Sequence, residues 1–139
     1  PRMNLADIFL RYSNYSGAMH EYALLLQRDP VNPTARNNYS VCLIAQDNYQ
    51  TAARFLKSVL SIEKYNPSAL YNLGSIYKDN LNDQELSIKY FKKYVALRSV
   101  SADNKKPVYG FIKELEKKLV PKKVPNQADK KVPTDEIKK

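Results

Sequence analysis

Asn66-Pro67-Ser68-Ala69-Leu70-Tyr71-Asn72-Leu73-Gly74-Ser75-Ile76-Tyr77 decides how the chain is read, because its marks return elsewhere. Asn32-Pro33-Thr34-Ala35 precedes Asn66-Pro67-Ser68-Ala69 by 34 residues. Asn4-Leu5-Ala6, Asn38-Tyr39-Ser40 and Asn72-Leu73-Gly74 keep the same shift, as do Phe9, Leu43 and Tyr77. Asn14-Tyr15 matches Asn48-Tyr49, with Ala18 and Ala52 three residues beyond each tyrosine. Tyr22 then aligns with Leu56, and Leu25-Leu26 with Val59-Leu60. In the third copy one extra residue near Asn80-Leu81 displaces the later marks to Ser87, Phe91 and Tyr94-Val95. A fixed period of roughly 20–50 residues signals a repeat architecture, in which no single unit buries its apolar face alone.

Each copy reads as two helices. From Pro33 the apolar residues fall at Ala35, Tyr39, Cys42, Leu43 and Ala45, a helical rather than an alternating period. Proline at the first position of a helix costs no hydrogen bond, and the asparagine before it can cap. Asn48 marks a turn, after which Ala52, Phe55, Leu56, Val59, Leu60 and Ile62 form the stripe of a second helix. Small residues at Ala18 and Ala52 suit close approach of the two helices of a pair. Beyond Arg98, Pro107 is expected to open a further helix with apolar positions Val108, Phe111, Ile112, Leu115 and Leu119 and a mixed-charge outer face. That one-sidedness suits a capping element better than a membrane-surface helix.

The 139 residues suffice for one ordinary domain, and 43% hydrophobic content can build a core. Three glycines, at 17, 74 and 110, cannot form a dinucleotide or P-loop fingerprint. One Cys and one His exclude a disulfide framework and a single-chain zinc finger. No run approaches the roughly 18–20 apolar residues of a membrane span. The chain opens Pro1-Arg2 without an initiating Met or a signal-peptide core, as expected of a piece of a longer protein. Its compartment cannot be read from it.

A 34-residue period with this content resembles the tetratricopeptide repeat (TPR) family. Residues 66–77 are close to that family's first-helix pattern, Asn48-Tyr49-Gln50-Thr51-Ala52 to its inter-helix turn, and Asp29-Pro30 to its closing dipeptide. The resemblance covers about residues 2–100. It departs where Arg36 replaces a large apolar residue, Ser40 a glycine and Ser87 an alanine. It implies an all-α, right-handed α-solenoid of antiparallel helix pairs. The expected division is a TPR-like domain at 1–120 and a flexible Lys/Pro-rich tail at 121–139. Within the domain the repeats fall at about 1–32, 33–66 and 67–101, with a capping helix at about 105–120.

The resemblance also implies a concave groove lined by the first helices. Carried over position by position, its first copy offers Met3, Asn4, Asp7, Leu10 and Arg11. The second offers Thr34, Asn37, Asn38, Val41, Ile44 and Ala45, and the third Ser68, Tyr71, Asn72, Ser75, Lys78 and Asp79. Candidate ligand-contacting residues are Asn4, Asp7, Arg11, Asn37, Asn38, Val41, Tyr71, Asn72, Ser75 and Lys78. Asn4, Asn38 and Asn72 form a register of amides, one per repeat. A carboxamide donates and accepts, so such a row could hold an extended peptide backbone, each bond adding about 0.5–1.5 kcal/mol. Equally, the amides could simply tie neighbouring helices together. The family's clamp for a chaperone's C-terminal carboxylate needs basic groups where this chain has Met3, Asp7, Ser68 and Asn72, so that ligand is not expected.

Little else offers chemistry. Cys42 sits beside Leu43 on the apolar side and reads as a structural thiol, and His20 as a solvent-facing residue. The carboxylates show no metal-loop spacing, and neither G-x-S-x-G nor H-E-x-x-H occurs. No catalysis, metal or cofactor is expected. Residues 1–102 hold 12 basic and 8 acidic side chains, and 103–139 hold 11 and 6, so charge is densest in the tail. Lys89, Lys92 and Lys93, near Tyr90 and Tyr94, add a local patch. Solvation explains these lysines better than nucleic-acid binding, which wants arginines or stacking aromatics on an ordered face. The expected function is a non-catalytic protein-interaction module that binds a peptide or helix of a partner and acts as a scaffold or assembly factor. The alternative is an electrostatic adaptor, with nucleic acid or anionic membrane held weakly by the basic C-terminal region. An exposed end face could also stack on a second copy.

Overall fold

A computed structural model describes residues 2–119, and side chains from Leu5 onward. The expected tail at 121–139, and the side chains of Met3 and Asn4, lie outside the described residues. Seven helices follow one another among the described residues. They are α1 (Arg2–Arg11), α2 (Tyr15–Arg28), α3 (Pro33–Ala45), α4 (Tyr49–Ile62), α5 (Pro67–Asp79), α6 (Gln84–Val95) and α7 (Ala102–Leu119). Each packs chiefly on its neighbours in sequence, giving three helix pairs and a seventh helix against α6.

The asparagines before the prolines do cap. Asn32 Oδ1 accepts from the Ala35 N–H and Asn66 Oδ1 from the Ala69 N–H, each at 2.9 Å. Asn14 caps α2 and Asp83 caps α6 in the same manner, whereas the Asn48 side chain makes no cap bond. The turns within the pairs share a left-handed residue at one equivalent position: Ser13, Asp47 and Asn82, with φ of 60°, 61° and 54°. Phe9 and Leu43 close their turns by accepting the N–H five residues on, from Asn14 and Asn48, both at 2.8 Å. In the third pair Tyr77 accepts from Asp83, six residues on, at 2.9 Å. The extra residue is thus absorbed in the loop, and the helices flanking it keep their register.

Two apolar clusters form the core. The smaller joins Ala6, Ala18, Tyr22, Ala35 and Cys42; the larger runs from Leu43 through Phe91 to Leu115 on α7. Ala18 and Ala52 are fully buried, as their close-approach role requires. The two serines that replace small family residues are satisfied internally: Ser40 Oγ donates to the Arg36 carbonyl at 2.8 Å, and Ser87 Oγ to the Gly74 carbonyl at 2.7 Å. Gly74 is needed, because a Cβ there would lie 2.5 Å from Phe91 ring atoms.

One expectation changes. Pro107 does not open the last helix but lies inside it, six residues after Ser101, whose Oγ accepts the Asn104 N–H at 3.2 Å. Ser101 supplies the cap and Asp103 the acidic first turn, so the helix begins earlier and the exposed proline merely omits one ladder bond. Val108, Ile112 and Leu115 face the core as the spacing predicts. Leu5 and Ile8 on α1, and Tyr12 in the turn after it, remain exposed.

Candidate functional site

The first helices of the three pairs carry the groove positions, and the structure treats them unequally. In the first two pairs the polar groups are turned on one another. Tyr22, on α2, is wholly buried; its hydroxyl donates to Asp7 Oδ1 at 2.6 Å and accepts from Asn38 Nδ2 at 3.0 Å. Asp7 on α1 and Asn38 on α3 are thereby joined through a phenol from the helix behind them. Burial, and then the bond donated to Asp7, push the Tyr22 hydroxyl well above its ordinary pKa. Of the two readings left open for the amide row, Asn38 takes the helix-tying one.

Its neighbour Asn37 is buried, and its Oδ1 has no hydrogen-bond partner among the described residues. Val41 is half-buried, and Arg11 stands exposed at the end of α1.

The third pair is arranged differently. Leu56 occupies the place of Tyr22, so no hydroxyl reaches Asn72, and its amide makes no hydrogen bond among the described residues. Asn72 instead lines a cavity of about 190 Å³ with Pro67, Ser68, Tyr71 and Tyr94. The Tyr71 ring packs against Tyr94 at 5.4 Å and Phe91 at 6.0 Å, and Phe91 against Phe111 at 5.6 Å. Lys78 closes this aromatic wall, its Nζ 4.6 Å from the Phe111 centroid and 2.8 Å from Asp79 Oδ1. Ser75 is half-buried, one helical turn beyond Tyr71. The arrangement offers an aromatic wall, a free carboxamide and a cation, which suits one side chain and one peptide unit of a ligand.

Tyr22 and Tyr94 are the residues that the groove assignment missed. A signal existed for Tyr22: a tyrosine at a wholly buried repeat position must place its hydroxyl against a polar partner. Cys42 is buried, which pushes its thiol up to about 11 and leaves it no thiolate for chemistry near neutral pH. His20 is exposed. The lysine patch on α6 is partly neutralised, since Lys92 pairs with Glu116 at 3.0 Å, and Tyr90 and Tyr94 are buried rather than offered for stacking. Among the described residues no group of His, Cys, Asp and Glu could hold a metal ion, and no helix is long and apolar enough to cross a membrane.

Comparisons with known proteins agree with this architecture. The tetratricopeptide repeat profile matches residues 67–100. Mouse trafficking protein particle complex subunit 12 is 29% identical over 79 residues, a stretch that is 55% of this chain and 10% of the relative. The match thus spans about a tenth of that relative's length. Among solved structures, the first TPR of Spaghetti (RPAP3) bound to the HSP90 peptide SRMEEVD superposes with a TM-score of 0.75 at 13% identity, over 86% of this chain and 91% of that one. The Arabidopsis OM64 TPR domain gives 0.74 at 15%, over 85% and 93%. The Sgt2 TPR domain from Aspergillus fumigatus gives 0.72 at 17%, over 85% and 76%. The chain thus carries a match to the tetratricopeptide repeat on its third pair and shares the solenoid fold of these TPR domains along most of its length, as three helix pairs closed by a seventh helix.

Proposed function

We propose that the chain is a non-catalytic protein–protein interaction module whose concave groove takes a peptide or helix of a partner, as a scaffold or assembly factor. The observation that carries this reading is the cavity of Pro67, Ser68, Tyr71, Asn72 and Tyr94, where a free carboxamide faces an aromatic wall. Tyr71, Asn72, Ser75 and Lys78 are its contact residues in the third pair. Asn37, Val41 and Arg11 extend it towards the start of the chain. The fold relatives support an interaction role, one of them having been solved with a peptide in place. The name of the mouse relative, a subunit of a complex, supports a role in assembly.

The groove's ligand is not an acidic C-terminus. Asp7 presents a carboxylate to it, and Ser68 and Asn72 stand where cations would be needed. Selection of a displayed random-peptide library against the full 139-residue chain tests the proposal. Enrichment of a sequence motif that binds wild type and not Tyr71→Ala supports it; selections that return no motif, or motifs indifferent to Tyr71→Ala, refute it.

A further inference from the structure

Arg36 stands at the helix position that Leu70 fills in the next pair, where Leu70 is 1% exposed and part of the core. The arginine does not fill that space. Its Nε donates to the Pro30 carbonyl at 2.7 Å, which draws the guanidinium to the rim. What remains is a cavity of about 550 Å³ between α2 and α4, with Ala23, Leu26, Tyr39 and Phe55 as apolar lining. This lies within the roughly 300–1,000 Å³ of ligand-sized pockets. It sits where the two core clusters meet: Leu26 packs on one, Phe55 on the other and Tyr39 on both. At about 100° per residue, Arg36 and Tyr39 lie on the side of α3 opposite to Asn37, Asn38 and Val41, so this pocket is not the concave groove.

Its charge is one-sided. Arg36 and Arg54 are both in the lining, with Gln27 and Ser58, and no carboxylate is among the lining residues. We propose that this convex pocket is a second binding site, which receives a large apolar side chain from an acidic segment of a partner protein. The apolar floor takes the side chain, and the two guanidiniums take flanking carboxylates as charge-assisted hydrogen bonds.

The test uses the full chain, isotope-labelled, and three blocked hexapeptides: one of Glu and Phe, one with Gln in place of Glu, and one with Ala in place of Phe. The proposal expects the Glu/Phe peptide alone to shift the amides of Leu26, Arg36, Tyr39 and Phe55 saturably. Arg54→Glu, a change at an exposed position, should weaken that binding about tenfold or more. Ala23→Met, which projects a longer side chain across the apolar floor, should weaken it about tenfold or more, with circular dichroism unchanged in both variants. Equal binding of the Gln peptide, shifts confined to Tyr71 and Asn72, or no saturation up to about 1 mM would each overturn the proposal. So would saturation of the pocket by laurate but by none of the peptides. Neither set of results depends on the concave groove, whose ligands should bind Arg54→Glu as they bind wild type.

Discussion

Tyr22 holds Asp7 by a 2.6 Å hydrogen bond from a position with no solvent exposure, while its oxygen also receives the Asn38 amide. One phenol therefore fastens the first pair to the second. Tyr22→Phe leaves Asp7 and Asn38 without that partner, and should cost about 1–3 kcal/mol in urea unfolding. A loss below about 0.5 kcal/mol would show that the bridge is not formed in solution.

The same group gives the fold an alkaline limit. The Tyr22 pKa is raised above its ordinary value of 10.0, first by burial and then by the bond to Asp7, and burial raises Tyr90 in the same direction. A group whose folded pKa exceeds its unfolded one stabilises fully below the unfolded value, and that stability is lost as pH rises towards the folded value. Melting temperature should therefore fall as pH climbs above about 10, and Tyr22→Phe should fall less steeply than wild type. Parallel slopes for the two proteins would contradict the assignment.

Two glycines should respond oppositely to alanine. A Cβ at Gly74 meets Phe91 ring atoms at 2.5 Å, whereas nothing lies within 4 Å of one at Gly110, an exposed position of α7. Gly74→Ala should destabilise by about 1–3 kcal/mol through overpacking. Gly110→Ala should stabilise by about 0.5–1 kcal/mol through helix propensity. Chemical denaturation of the two variants reads both signs.

Ser13 sits in the left-handed region at φ 60° on an exposed turn. Ser13→Gly should raise stability by about 0.5–1 kcal/mol, because the side chain's steric cost there exceeds the extra chain entropy of glycine. A lower melting temperature would mean that the serine side chain supports the turn.

Much of the architecture was legible before any coordinates. The 34-residue shift located three pairs, and the Asn-Pro starts and the apolar stripes located their helices, because these signals are local and repeat. Pro107 misled because proline at a helix start and proline in its second turn look alike until the Ser101 cap is seen. The candidate site was less legible. The row of Asn4, Asn38 and Asn72 looked uniform, yet Asn38 and Asn72 differ through a residue on another helix, Tyr22 or Leu56. The convex pocket was hidden for a related reason. Arg36 was visible as a departure, but whether its side chain fills a space or leaves it depends on the Pro30 carbonyl that captures it.

That difference between the two asparagines bears most directly on function. A peptide selected on wild type, titrated by calorimetry into Asn38→Ala and Asn72→Ala, separates a helix tie from a ligand contact. Asn72→Ala should keep wild-type stability and lose about tenfold in affinity, while Asn38→Ala should lose about 0.5–1.5 kcal/mol of stability. Unchanged affinity in Asn72→Ala would contradict a ligand-binding groove in the third pair.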